Sequence, residues 1–329
     1  MTPAVSILIA TYNRSAVLRC AIESVLHQTV TDWELRVTGD GCTDDSADVV
    51  ASFNDPRIHW YNLPENSGSQ GVPNAYGIAA ARAPYIAHLG HDDLWYPTHL
   101  EHLLRAIQET DADFANTLIA NMGALGSGIR RLDGLIAVDK RGAINPNFTP
   151  SSVCYRRSLA EQVGSWKDYR ETTFPPDKDL FHRMFTAGAK RVVVEELTVF
   201  KFPASWRRNV YRENPSHEQQ LYLKRMREEP DLLYREALAL AAAHAQNKTF
   251  PPDLKIQQQN RRGAEIEYRR QLRGLEARPL PKWTLAERAQ AAQAALGRYS
   301  PVVKRALVAP LPGSLRQWVF RIKRRLIKG

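Results

Sequence analysis

Val5-Ser6-Ile7-Leu8-Ile9-Ala10, followed at once by Thr11-Tyr12-Asn13-Arg14-Ser15, is the stretch on which the fold turns. A short β-branched run closed by turn-prone polar residues reads as a buried strand. Ser15 is suited to cap the helix that follows. There Val17, Leu18, Ala21, Ile22, Val25 and Leu26 recur at helical spacing. Working outward, Trp33 to Thr38 reads as a strand, Asp44 to Phe53 as a helix and Ile58 to Asn62 as a strand. Pro73 to Ala81 reads as a helix and Tyr85 to Leu89 as a fourth strand. Such alternation predicts an α/β fold with a doubly wound, mainly parallel sheet and flanking helices. Ligands of such sheets bind at the carboxyl ends of the strands, so the residues just after each strand are the ones to inspect.

Beyond Pro97 the pattern predicts a helix to Thr110, a strand over Asp113 to Ala120 and irregular or edge-strand structure over 121–150, suited to shape an acceptor site. A helix over Asp177 to Ala187, a strand over Arg191 to Leu197 and a helix from Ser216 to Ala245 follow. The division expected is 1–200 as a catalytic domain, 201–250 as a helical extension packed on it, and 251–329 as a basic helical tail.

The chain has 329 residues, 43% of them hydrophobic and 24% charged, the balance of a globular protein with room for one sizeable domain and an appendage, or for two small domains. Cys20, Cys42 and Cys154 form no metal or redox pair pattern, which suits reduced thiols in the cytoplasm. No secretory leader and no run near the ~20 apolar residues of a membrane span is expected. Of the net charge of +10, residues 251–329 carry 18 Lys/Arg against five Asp/Glu, leaving 1–250 slightly acidic. A basic tail seeks phosphate: lipid headgroups, nucleic acid or an acidic partner. The acidic remainder argues against nucleic acid.

Three strand ends carry polar residues that can meet in one cleft: Thr11-Tyr12-Asn13, Gly39-Asp40-Gly41 and His91-Asp92-Asp93. Adjacent carboxylates at a strand end are costly unless a cation sits there, and Mg2+ or Mn2+ suits carboxylate and phosphate oxygens together. The same pair can simply begin the helix after Pro97. Asp40 between two glycines suits hydrogen bonding to a base or ribose, or is a turn residue. Asp177 and Asp179 open a helix with Arg183 beyond; such acids favour a first turn, and a carboxylate in a cleft can also act as general base.

The order of these blocks resembles the family 2 glycosyltransferases, inverting enzymes with the GT-A fold. The resemblance runs over residues 4 to about 200. Its motifs are Val5 to Arg14, Ser24-Val-Leu-His-Gln-Thr29, Asp40-Gly-Cys-Thr-Asp-Asp-Ser46, Asn66-Ser-Gly68, Asn74, Gly77-Ile78, Ala83, Tyr85-Ile86, His91-Asp92-Asp93 with Pro97, Tyr155-Arg-Arg-Ser158, Gly164 and Asp177 to Arg183. It implies transfer from a nucleoside-diphosphate sugar, a UDP-sugar by family default, to a glycan or glycolipid hydroxyl. By the resemblance Thr11, Tyr12, Asp40, Asp92 and Asp93 bind the donor, Asp93 ligates Mn2+ or Mg2+ directly, and Asp177 is the base. Asn13, Arg14, Asn74, His91, Asp179 and Arg183 are supporting candidates. The chain departs from the family at Gly39, His91 and Pro176, where Asp, Asp and Glu are frequent, and at Pro73, where Arg is common.

A dehydrogenase would show G-x-G-x-x-G after the first strand; Thr11-Tyr12-Asn13-Arg14 stands there instead. A P-loop enzyme is excluded likewise, since the chain contains no G-x-x-x-x-G-K-[ST]. A sugar nucleotidyltransferase and a degenerate nucleotide-binding module without transfer activity are the remaining alternatives. In the tail, Leu315, Trp318, Val319, Ile322 and Leu326 recur at helical spacing among Arg and Lys. Residues 313–328 are therefore expected to form an interfacial helix on an anionic membrane, at its inner face, with docking onto protein as the other possibility.

Overall fold

The structure is a computed structural model that describes residues 2–138, 144–146, 148–172, 175–207 and 209–251. The basic tail, with the expected interfacial helix at 313–328, lies outside the described residues.

The chain opens with β1 (Val5–Thr11), α1 (Ser15–Leu26), β2 (Trp33–Gly39), α2 (Ser46–Ala51), β3 (Ile58–Asn62), α3 (Gly71–Ala80) and β4 (Tyr85–His88). β1 pairs in parallel with β2 and β4, and β2 with β3. The alternation read from the first 90 residues is therefore the one found. β1 is buried along nearly its whole length because helices cover both faces of the sheet. α1 turns Val17, Leu18, Cys20, Ala21, Ile22 and Val25 inward.

The second half is mixed. It contains β5 (Leu94–Trp95), α4 (His99–Thr110), β6 (Phe114–Met122), β7 (Arg130–Asp133), β8 (Ile136–Val138), β9 (Ile144–Pro146), β10 (Val153–Arg156), α5 (Arg157–Val163), α6 (Pro176–Thr186) and β11 (Arg191–Lys201). The main sheet runs β3-β2-β1-β4-β10-β6-β11-β5, with β7 on β6. β10 slots antiparallel between β4 and β6, whereas β11 is parallel to β6. β8 and β9 form a separate hairpin. Among the described residues, no helix is long and apolar enough to cross a membrane.

Three local expectations need correction. Ser15 does not cap α1; it is the first helical residue, and the Asp44 carboxylate reaches across to its N–H at 3.1 Å. The same carboxylate accepts from Ser46 N at 3.2 Å, so one side chain satisfies orphan donors at the starts of α1 and α2. The expected helix from Ser216 to Ala245 is two, α8 (His217–Glu228) and α9 (Leu232–Ala245), with the short α7 (Val210–Glu213) before them. Pro230 separates them, since proline disfavours helical backbone in the residue before it. β11 runs four residues past Leu197, to Lys201. α8 and α9 close a second core in which Tyr222, Leu223, Leu232 and Leu240 pack on Leu118, Met122, Leu197 and Phe200 of the sheet.

Candidate active site

The carboxyl ends of β1, β2 and β4 open into a cleft of about 620 Å³. Its walls include Thr11 and Tyr12 at the end of β1, Asp40 after β2, Pro73 and Asn74 on α3, and His88 to Asp92 at the end of β4. Ser151, Asp177, Lys201 and Tyr211 complete it from the second half of the chain. The candidates Thr11, Tyr12, Asp40, Asn74, His91, Asp92 and Asp177, widely separated in sequence, thus share one cavity.

The β2 end is built for close approach. Asp40 N donates to Thr11 O at 2.8 Å, locking the two strand ends together. Gly41 has φ +71°, and a Cβ there would stand 2.5 Å from Asn66 N; only glycine permits this turn. Asn66 and Ser67 then hold Asp40 from the other side, Ser67 N donating to its carboxylate at 2.9 Å. Tyr12 stays exposed at the rim.

Asp92 and Asp93 divide sharply. Asp93 is fully buried, its Oδ2 accepting from Ser151 Oγ at 2.5 Å and Lys201 Nζ at 2.7 Å, its Oδ1 from Phe202 N at 3.2 Å. Gly90 makes room for it, since a Cβ there would meet Asp93 Oδ2 at 2.9 Å. Asp93, implied by the resemblance as the direct metal ligand, has both carboxylate oxygens engaged by protein donors and does not line the cleft. Asp92 does line it, and no side chain among the described residues hydrogen-bonds its carboxylate; only its backbone carbonyl is held, by Gln219 Nε2 at 3.1 Å. Among the described residues no group of three or more His, Cys, Asp or Glu forms a cage for a metal. A Mg2+ or Mn2+ ion that draws the rest of its shell from phosphate oxygens needs only one or two carboxylates, so Asp92 fits such an ion.

Asp177 lies in the first turn of α6 and lines the cleft, whereas Asp179 turns away to pair with Arg183 Nε at 2.8 Å. Arg183 also donates to Val163 O and Ser165 O. Asp179 and Arg183 thus brace α6 outside the cleft. Asn13, at φ 48°, accepts from Thr43 N at 2.8 Å and shapes the turn after β1. Arg14 is buried, donates to Asn214 Oδ1 at 3.1 Å and lies 5.0 Å from the Tyr211 ring centre. It ties the start of α1 to the segment that carries Tyr211 over the cleft.

The sequence reading missed His88, Ser151, Lys201 and Tyr211. Burial works against the Lys201 ammonium, but Asp93 and Asp92 beside it outweigh that and hold its pKa above the ordinary value. His88 accepts at Nε2 from the donor-only Trp166 indole at 3.4 Å, with the Tyr155 hydroxyl 2.6 Å away. Burial pushes its pKa down to about 3. A lysine at the end of β11 was discoverable by the strand-end rule once that strand is given its true length.

A mixed sheet with a polar, acid-lined cleft at the ends of its first strands defines the class: an open α/β fold with its candidate ligand site at the strand ends. Residues 6–164 match Glycosyl transferase family 2, and this stretch is a family 2 glycosyltransferase domain. The uncharacterized glycosyltransferase RT0329 of Rickettsia typhi is 36% identical over 110 residues, 33% of this chain and 34% of its own. The succinoglycan biosynthesis protein ExoO of Rhizobium meliloti is 32% identical over 157 residues, 47% of this chain and 44% of its own. These matches span between a third and a half of the relatives' length. Among solved structures, S. aureus TarS 1–349 in complex with UDP-GlcNAc superimposes with a TM-score of 0.52 at 17% identity, covering 74% of this chain and 71% of that one. At that identity the likeness is one of fold.

Proposed function

We propose that the chain is an inverting glycosyltransferase that moves a sugar from a UDP-sugar to an acceptor hydroxyl of a polysaccharide or glycolipid. The observation that carries this reading is the meeting of Asp40, Asp92 and Asp177 in one cleft at the strand ends. The family of residues 6–164 supports it. The UDP-GlcNAc bound by TarS supports the donor class, and the role named for ExoO supports a polysaccharide acceptor.

In this reading Asp40 holds the base, Thr11 and Tyr12 flank the nucleoside, and Asp92 faces the diphosphate. Asp92 would hold a divalent cation, whose charge would offset that of the leaving group. Asp177 takes the proton of the acceptor hydroxyl. The freed oxygen forms a bond to the anomeric carbon as the bond to the diphosphate breaks, and the electron pair leaves with the nucleoside diphosphate. Attack from the opposite face inverts the anomeric centre.

The experiment is turnover of a panel of nucleotide sugars with manganese and simple glycoside acceptors, followed by assignment of the product's anomeric configuration. Nucleoside diphosphate release with inversion is expected. A retained configuration overturns the single displacement, and a chain that neither binds nor turns over any nucleotide sugar overturns the donor class.

A further inference from the structure

Lys201 stands at the last position of β11 and enters the cleft wall beside Asp92. Among the described residues lining that cleft it is the one lysine, and no arginine joins it. The other formal charges there, Asp40, Asp92 and Asp177, are all negative. A nucleoside diphosphate carries about three negative charges of its own, so a cleft of acids alone would repel it.

An ammonium has three donors. One is spent on Asp93 Oδ2 at 2.7 Å. No other acceptor among the described residues takes the remaining two, and the side chain is 23% exposed at the cleft. Asp93 is in turn fixed by Ser151 Oγ and Phe202 N, so it acts as a rigid post for the ammonium. Purely structural pairing explains this poorly. Asp93 already has two other donors, and a buried ion pair is often no more stable than apolar residues of the same volume.

We propose that Lys201 is a positioning residue for the diphosphate, its free N–H groups donating to oxygens of the departing nucleoside diphosphate while Asp93 fixes its place. The proposal rests on the donor class given above. Asp93 and Lys201 then work as a pair, and the carboxylate read from sequence as a metal ligand acts through a lysine instead. Part of the affinity for the diphosphate is then independent of any cation.

The test is calorimetric binding of UDP and of uridine to the full chain in chelator, with GDP, ADP, CDP and dTDP as alternative probes. Lys201→Met should weaken diphosphate binding roughly ten- to hundredfold, the loss of a charged hydrogen bond, and leave the nucleoside unchanged. Lys201→Arg should restore most of it. Should Lys201→Met fail to fold because Asp93 is left uncompensated, the Asp93→Asn/Lys201→Met double variant removes both charges and carries the same comparison. Unchanged UDP binding without Lys201, or equal loss of UDP and uridine, overturns the role of Lys201. A wild-type chain that binds none of the diphosphates in chelator overturns this role, and one that binds none with manganese present overturns the proposed donor class as well.

Discussion

Asp40 and Ser67 are joined at 2.9 Å, the backbone N–H of Ser67 donating to the carboxylate, while Asn66 Nδ2 donates to the Asp40 carbonyl at 3.0 Å. The acid proposed to meet the base is thereby anchored to a loop that itself lines the cleft. Asp40→Asn retains an oxygen for Ser67 but loses the charge. It should raise the dissociation constant for the nucleotide sugar roughly tenfold, as expected for a lost charged hydrogen bond, with kcat little affected. Asp40→Ala also releases the loop and should lower kcat as well. Titration calorimetry beside steady-state kinetics separates the two; equal donor affinity in Asp40→Asn and wild type would remove Asp40 from the donor site.

Adjacent acids should behave oppositely. Asp92→Asn should leave the melting temperature unchanged and depress cation-supported turnover by two orders of magnitude or so, about the weight of an interaction made with the leaving group. Asp93→Asn leaves Lys201 charged and poorly compensated in a buried setting, which should cost on the order of 3 kcal/mol of stability. Thermal melts and kinetics on the two variants check both halves. A stable, inactive Asp93→Asn with an active Asp92→Asn would reverse the assignment.

How far such roles are legible in sequence depends on where the physics is local. The strand Val5 to Thr11 and its polar successors announce themselves, because a buried strand is a continuous apolar run and its end is abrupt. The convergence of Thr11, Asp40 and Asp92 follows from parallel pairing alone. What was not legible depends on contacts made far along the chain. Asp93 and Lys201 are 108 residues apart, and nothing in the Asp-Asp dipeptide says which carboxylate a later strand will cover. Asp44 caps α1 from 29 residues away and so displaces the local cap expected of Ser15. The antiparallel entry of β10 between β4 and β6 is likewise a tertiary choice.

Asp177 and Asp179 offer a test of register. Asp177 lines the cleft, and Asp179 is spent on Arg183. Asp177→Asn keeps the shape but cannot accept a proton, so turnover should fall roughly 100-fold or more with donor affinity preserved. Asp179→Asn loosens the brace of α6 and should cost about 1 kcal/mol or less, with modest kinetic effect. Turnover and calorimetry on both variants distinguish the positions. If Asp179→Asn carries the large loss instead, the base is misassigned by two residues.

His88 links the cleft wall to the acid stability of the fold. It is 1% exposed, packed against Tyr155 and Trp166. In the unfolded chain a histidine takes up a proton near pH 6.5, whereas burial holds folded His88 neutral down to about 3. Between those values the unfolded state binds the extra proton. Stability from this group is therefore intact above pH 6.5 and drains away as pH falls toward 3, at up to ~1.4 kcal/mol per pH unit. Burial also holds His99 well below the usual range, so the wild-type slope should exceed one proton. His88→Phe removes one titrating group but leaves the Tyr155 hydroxyl and the Trp166 indole without their partner. Its stability at pH 7 should fall, while its decline between pH 6 and pH 4 becomes shallower by about one proton. Urea unfolding at pH 7, 6, 5 and 4 on both proteins measures that slope directly. Parallel curves would mean that His88 is protonated in the folded chain across this range, and that the polar cluster behind the cleft admits a charge.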